Sequence, residues 1–567
     1  MKKHLKNKRK MFAWGSSAVC LLLVIILVSA ILAGAGEKGY AIYMKDQELF
    51  HVTSSELKPW KITEQFVSQD STNNQKMAEM SYLLNLYVKL SEDAKKIFYI
   101  GQMDGSGGMT LYYRTVNGKD KPQKIAGGIQ SFEVNDKGNL ITYLKSPNGQ
   151  LYQYNLKDEE KIAADVESFF VSENGKTIFY KNKSGDVYRK RAGEERTKIA
   201  TNVKTLIQVY DSGELYYLKD EVKTTKLIDF VTDDMKKQDE KTKKPEFLQC
   251  PFMWEYETKE EYEKAYAEYD KKYEGYKKQQ DAYEAKVRRD SLRKELEEET
   301  IEISEHTLCY YNGKKEIVVS EHATGWKTYA KEKEALIYSA HDYEKIKKLN
   351  ISELTVAYQT KEMLEDAINS SYGYYLTVGV KSSEIKQEKA LDFDIDATGK
   401  TIYMIDHVSE KQEGELYKIK VSNKKAGKPK KVDEEVYLYN ASYQGDLYVY
   451  YKDVHQDGNA GDLYVNGKCI DFNVRIGTVN CKTDSLAYMT EWNEEGKCGI
   501  LRTYEGRKAS TVYKEVSNYV FLPNGEIAYL RDYSQKQYKG NLYIYKGKKS
   551  QKADEDVVAL IRVNTNK

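Results

Sequence analysis

The sequence predicts an all-β fold, a multi-bladed β-propeller of about 8–10 four-stranded units, and three observations carry that reading. First, a strand-turn phrase recurs at constant spacing: Ile125, Ile162 and Ile199 each sit in a Lys-Ile-Ala triplet 37 residues apart, and Tyr143, Tyr180 and Tyr217 keep the same period. Second, residues 169–203 read as four short strands. Asn174-Gly175 and Ser184-Gly185 supply turns that tolerate positive φ, and the segments between them alternate apolar and polar residues. Third, 49 of the 567 residues are tyrosine, which favours strands because its ring packs while its hydroxyl stays wet. A fixed period of this size means stacked supersecondary units, and four strands per unit points to blades rather than helical solenoids.

Ahead of the repeats, residues 1–10 (MKKHLKNKRK) carry six Lys or Arg and run straight into the apolar stretch 11–36. About 22 apolar residues at about 1.5 Å each cross a hydrocarbon core of about 30 Å, with the basic end left inside. The expected organisation is a cytoplasmic basic tail (1–10), a transmembrane signal anchor (11–36) and an extracytoplasmic propeller (37–567), giving a single-pass cell-membrane protein with its N-terminus in the cytoplasm. Ala33-Gly34-Ala35 offers the rival reading, a cleaved signal peptide. Lys and Arg number 89 against 87 Asp and Glu, so the net charge of +2 provides no general attraction to nucleic acid, which is not expected as a partner.

In chain order, residues 40–66 supply three strands of a unit that lacks its first. Units follow at 86–126, 132–163 and 169–203. The next begins with LIQVY and GELYYLKD and is then interrupted, its remaining strands appearing as HTLCYYNG and KEIVVSEH. The interruption, 233–303, reads as a helical, coiled-coil-like insertion within one blade, because Thr258 and Glu261 form a capping box ahead of a periodic run. A further unit takes KEALIYSA and KIKKLNIS as strands before a short helix at 360–371, and four more units bring the total to ten. The tail at 557–563 has the character of the first strand that the opening unit lacks. Pairing it there closes the ring and removes exposed edges, which favours one propeller over two.

Within the insertion, Tyr262, Tyr266, Tyr269, Tyr273, Tyr276 and Tyr283 follow a 4-3-4-3-7 spacing on one helical stripe. Such a stripe reads either as a seam against a second helix or the return segment, or as an exposed partner-binding row in which each ring gives contact area at low entropic cost. Asp392, Asp394 and Asp396 alternate with apolar residues, which puts three carboxylates on one strand face. They are weak metal candidates, since the glycine spacing of a calcium loop is missing and a solvated strand face explains them. Five cysteines outside the membrane segment show no metal spacing. Neither a G-x-S-x-G elbow nor an H-E-x-x-H pair occurs, so no catalytic residue and no cofactor is expected.

The phrases SENGKTIFY, GDVYRK, DATGKTIYM, GELYKIK and PNGEIAYL resemble those of TolB-like and WD-repeat-like β-propellers, especially membrane-anchored exported propellers of Gram-positive bacteria. The resemblance spans residues 40–563 apart from the insertion, and it implies the fold and a protein-binding habit without any catalytic residues to transfer. The expected function is a membrane-anchored binding, scaffold or sensor protein. Its partners are envelope or membrane proteins, or glycan, and its arm is the prime contact. The alternative is a carbohydrate-active or other hydrolytic enzyme with an acidic site at the channel mouth.

Overall fold

A computed structural model describes residues 39–63, 86–103, 109–116, 118–230, 239–342, 357–387, 390, 392–441, 447–482 and 485–562. The basic tail and the apolar stretch 11–36 lie outside these residues. Among the described residues no helix is long and apolar enough to cross a membrane.

The chain is mostly strand, arranged as consecutive antiparallel four-stranded units, the blades of a β-propeller. In the unit read from residues 169–203, Val166–Val171, Thr177–Asn182, Val187–Arg191 and Thr197–Ala200 pair in chain order. Among the described residues, three connections between blades are not loops. Gln123–Val134, Glu316–Tyr329 and Lys508–Phe521 each serve as the last strand of one unit and the first of the next. Ten such units can be followed among the described residues. First strands of successive blades touch one another, as Glu316–Tyr329 touches Asp392–Ile395, so they form the inner wall.

Closure follows the expectation from the tail. Ala559–Ile561 pairs antiparallel with Tyr40–Lys45, with Ile42 opposite Ile561 and Met44 opposite Ala559, and so becomes the first strand of blade 1. Apolar packing runs round the same circle. Ile97 and Tyr99 of blade 2 pack on Met44 and Leu49 of blade 1, Ile178 and Tyr180 of blade 4 pack on Leu151 and Ile162 of blade 3, and Leu542 and Ile544 of blade 10 pack on Tyr43 and Leu560. Each interface removes aliphatic side chains from water at about 25 cal/mol per Å2 of apolar surface, so each blade is stabilised by its neighbours rather than by a core of its own.

The tyrosines have two structural uses. Second and third strands carry cross-strand ring pairs: Tyr99 stacks on Tyr112 at 5.8 Å, Tyr143 on Tyr152 at 5.7 Å, Tyr180 on Tyr188 at 5.3 Å, Tyr450 on Tyr464 at 5.3 Å and Tyr529 on Tyr543 at 5.5 Å. Four second-strand tyrosines, Tyr43, Tyr143, Tyr217 and Tyr450, also carry a hydroxyl to a carboxylate on an outer strand. Tyr43 donates to Asp554 at 2.6 Å while Lys45, two residues on, pairs with the same carboxylate at 2.9 Å. Tyr450 and Lys452 repeat this on Asp433, in both cases across a blade boundary. Tyr143 with Lys145 on Glu159, and Tyr217 with Lys219 on Glu316, repeat it within a blade. A residue at i+2 in a strand lies on the same face, which is why Tyr-x-Lys presents both donors to one acid.

Three expectations need correction. In blade 6 the third strand is Tyr372–Val378, paired with Ala335–His341; the segment KIKKLNIS lies outside the described residues. The helix expected at 360–371 is Ala357–Ser370 (α2), and it precedes that third strand. The insertion is also displaced from 233–303: Leu215–Lys226 and Thr300–Tyr311 stay paired from Leu215 opposite Tyr311 out to Lys226 opposite Thr300, so the stretch that leaves the ladder is 227–299. A two-stranded ribbon therefore carries the helix away from the blade.

Candidate functional site

Strand direction alternates through a blade, so connections from second to third strands emerge on one face of the ring and turns from first to second strands on the other. Both insertions, in blade 5 and blade 6, are second-to-third connections, and they meet on the first of these faces. There Leu292 and Leu296 of the long helix Lys259–Glu298 (α1) bury against Leu227, Phe230, Ile301 and Ile303 of the ribbon end and against Leu364 and Ile368 of α2. This small core roots the arm. Below it, Glu305 is buried and its Oε2 lies 3.0 Å from His322 Nδ1.

From that root α1 projects. Its 40 residues span about 60 Å at about 1.5 Å each. Thr258 accepts from the Glu261 backbone N–H and the Glu261 side chain accepts from the Thr258 N–H, the expected capping box. Among the described residues no second helix lies on the tyrosine stripe. Instead the outgoing segment runs extended beside it: the Lys286 ammonium donates to the Thr242 carbonyl at 2.9 Å, Cys250 meets the Tyr269 hydroxyl, and Tyr256 approaches Tyr262 at 6.1 Å. The register is self-consistent, because eight extended residues from 242 to 250 and seventeen helical ones from 286 to 269 each cover about 26 Å.

The six tyrosines are thereby divided. Tyr262, Tyr269, Tyr276 and Tyr283 are half-buried along the extended segment, while Tyr266 and Tyr273 remain exposed. Rings run as a ladder with centroids 5.8 Å apart from Tyr262 to Tyr266, 5.9 Å to Tyr269 and 5.5 Å to Tyr273. The more exposed aromatics are elsewhere. At the far end of the arm, the 3-10 turn Met253–Glu255 presents Phe252, Met253 and Trp254, with Trp254 79% accessible and Phe252 stacked on it at 4.5 Å. Five glutamates, Glu255, Glu257, Glu260, Glu261 and Glu263, follow this tip in the chain, with Lys259 and Lys264 the cations among them. Sequence reasoning passed over it. The available signal was an apolar trio after Pro251 inside a heavily charged stretch.

The opposite face has a different character. The first-to-second turns of blades 2 to 5 begin with Glu92, Asp136, Glu173 and Asp211, and neighbouring turns are tied together. The Asp136 N–H donates to the Glu173 carbonyl at 3.1 Å and the Glu173 N–H to the Asp211 carboxylate at 2.6 Å. Glu173 is exposed at the surface, but some desolvation, then Asp211, Asp136 and Glu332 of blade 6 close by, raises its carboxyl above its ordinary range. Carboxylates from four blades thus converge near the inner wall.

Asp392, Asp394 and Asp396 lie on the inner strand of blade 7 and its turn. Asp392 is exposed, and Asp396 is buried, accepting from Thr398 Oγ1 at 2.8 Å and from the Lys400 N–H at 3.0 Å, so its work is to hold the turn. Asp394 is the perturbed one: burial, then the charges of Asp392 and Asp396, push it up to about 6 against a backbone hydrogen bond from Ile395. Among the described residues no group of three His, Cys, Asp or Glu has metal-holding geometry. The described cysteines are free thiols; Cys309 sits in the core between blades 4 and 5, where burial pushes its pKa up to about 12, while Cys250 rides on the arm.

No family model matches the chain, and no curated protein matches it. Among solved structures it is similar to a eukaryotic initiation factor (7% identity over 93% of this chain and 98% of that one, TM-score 0.42). It is also similar to dipeptidyl peptidase 4 of Porphyromonas gingivalis (9% identity over 86% of this chain and 61% of that one, TM-score 0.38). A third likeness is to the β-propeller domain of the Trilobed protease from Pyrococcus furiosus (8% identity over 83% and 99%, TM-score 0.29). Each identity lies below a tenth, and no activity passes from these proteins to this chain.

Proposed function

We propose that this protein is a membrane-anchored, extracytoplasmic binding protein of the TolB-like kind, a scaffold or sensor whose propeller holds the arm in place and whose arm contacts a partner protein. The observation that carries the reading is the tip. Large apolar side chains stay out of water unless something else covers them, yet Phe252, Met253 and Trp254 are held at the end of a helix with exposed flanks. Aromatic anchors rimmed by polar groups are the usual energetic centre of a protein interface. The half-covered tyrosine row gives the shaft a second contact surface, for protein or glycan.

The test is crosslinking in intact cells followed by capture, comparing the parent chain with F252A/M253A/W254A and with a chain lacking 233–298. Partners that survive in the parent and disappear in both variants support the reading. An identical set from all three chains removes the arm from any role in contact.

A second reading is favoured by the acidic turns. A raised carboxyl at Glu173 beside Asp136, Asp211 and Glu332 is the kind of group that acts as a general acid, which suits a glycan-cleaving or other hydrolytic enzyme. Purified protein that cleaves a glycan or peptide, and loses at least about a hundredfold in rate in E173Q, would favour that reading over the scaffold.

A further inference from the structure

A second site lies away from both the arm and the acidic turns, at the boundary between blades 1 and 2. There a cavity of about 710 Å3 is lined by four cations, Lys61, Arg114, Lys119 and Lys121, and by the rings of Tyr99 and Tyr112; among the described residues no carboxylate lines it. We propose that this groove binds an anionic saccharide, a chain of sugar or polyol units carrying phosphate or carboxylate groups.

The cations are held, not scattered. Arg114 of blade 2 donates from Nη1 to the carbonyls of Lys61 and Ile62 of blade 1 at 3.1 and 3.0 Å, and from Nε to the Asp120 carbonyl at 2.8 Å. Its guanidinium also stacks over Trp60 at 4.6 Å. These carbonyls fix its position and leave its charge uncancelled. Lys61 reaches Glu48 at 2.5 Å, which offsets one of the four charges. Lys119 and Lys121 stand exposed on the turn that forms the opposite lip. Cations collected on one wall attract an anion by summing their potentials, and a concave wall of low dielectric focuses that field.

Size and surface decide between anions. The volume lies in the range of small-molecule sites, about 300–1,000 Å3, far beyond what a lone phosphate fills. The stacked Tyr99 and Tyr112 pair, with Ile62 and Pro122, gives an apolar floor beneath the cations. A Cβ at Gly101 would come within 3.0 Å of the Tyr112 ring, so the glycine keeps that ring flat against the strand. Cations above a ring floor suit a hydroxylated ring that carries its charges at the edge.

The experiment measures binding to the detergent-solubilised full chain, using a glycerol-phosphate hexamer, a hyaluronan tetrasaccharide, neutral cellotetraose, AMP and inorganic phosphate as separate probes. One or both acidic oligomers should bind, with the better of the two identifying phosphate or carboxylate as the recognised group. Cellotetraose and inorganic phosphate should bind at least about a hundredfold more weakly. Replacing both lip lysines in K119A/K121A should weaken the acidic oligomer about tenfold, while K424A/K425A, on an exposed hairpin of blade 7, should leave affinity unchanged. The proposal is overturned if cellotetraose binds as well as the acidic oligomers, if AMP alone binds, if both double variants lose affinity equally, or if no probe binds at millimolar concentration. None of these outcomes depends on the arm, so they leave the partner-contact reading to its own test.

Discussion

Asp394 shows how one residue can be placed by the fold at its own expense. The alternation Asp392-Phe393-Asp394-Ile395 was legible as a strand with acids on one face, and the inner strand of blade 7 has that form. What the alternation could not supply was the burial that the neighbouring blade imposes. With its carboxyl pushed up to about 6 from an ordinary 3.8, the folded state holds the proton more tightly than the unfolded chain does. Stability from this group is therefore greatest below about pH 4 and falls as pH rises through about 6. Asn keeps an oxygen for the Ile395 N–H, which Asp394 now bonds at 2.8 Å, and carries no charge to desolvate. D394N should raise stability on the order of 1 kcal/mol at pH 8 and leave it unchanged at pH 4. Urea unfolding midpoints at the two pH values read this directly, and an equal effect at both would rule out the desolvated carboxylate as its cause. The Tyr-x-Lys pairs make the converse point. The dipeptide spacing is visible in the chain at Tyr43, Tyr143, Tyr217 and Tyr450, but the acid each pair shares sits up to 511 residues away, and no local pattern reveals it.

At the scale of the element, the arm was legible as a helix from its capping box and its tyrosine spacing. What covers the stripe was not, because the covering segment has neither helical nor strand periodicity and passes beside α1 by following its length. The same absence of pattern displaced the third strand of blade 6: an inserted helix separated it from its partner, and a nearer polar segment took its place in the reading. The exposed shaft makes α1 depend on its own backbone more than a packed helix does. Gly275 lies in the middle of it, and a Cβ there meets nothing within 4 Å. G275A should then gain helix propensity without a clash, about 1 kcal/mol, and slow amide exchange in residues 268–282 about fivefold. Hydrogen exchange with mass spectrometry measures this. If exchange in those peptides is unchanged while α1 remains helical, the shaft is held by its extended neighbour rather than by its own hydrogen bonds.

For the whole molecule, the repeated phrase made the blades legible because each unit must form its strands locally, whereas the blade boundaries depend on which faces meet. Three of those boundaries are single continuous strands, which a reading by turn residues divides in two. The tail was legible for a different reason: a missing first strand at one end and a spare one at the other left one economical pairing. That pairing makes the short strand Ala559–Ile561 a lock for a ring that spans the chain. Leu560 is 3% exposed and packs with Tyr43, Val52, Leu530 and Leu542, joining blade 10 to blade 1. Placing a carboxylate there removes the apolar contact and buries an unpaired charge, so L560D should cost at least about 3 kcal/mol. It should also leave the edges of blades 1 and 10 free to pair with other chains. The control is V380D, which puts the same charge on an exposed turn residue of blade 6 and should change stability by no more than about 0.5 kcal/mol. Thermal unfolding and light scattering on the two variants together decide the point. A lower melting temperature with new aggregation in L560D alone supports closure by this strand, while matching behaviour in both variants would mean that the ring is held without it.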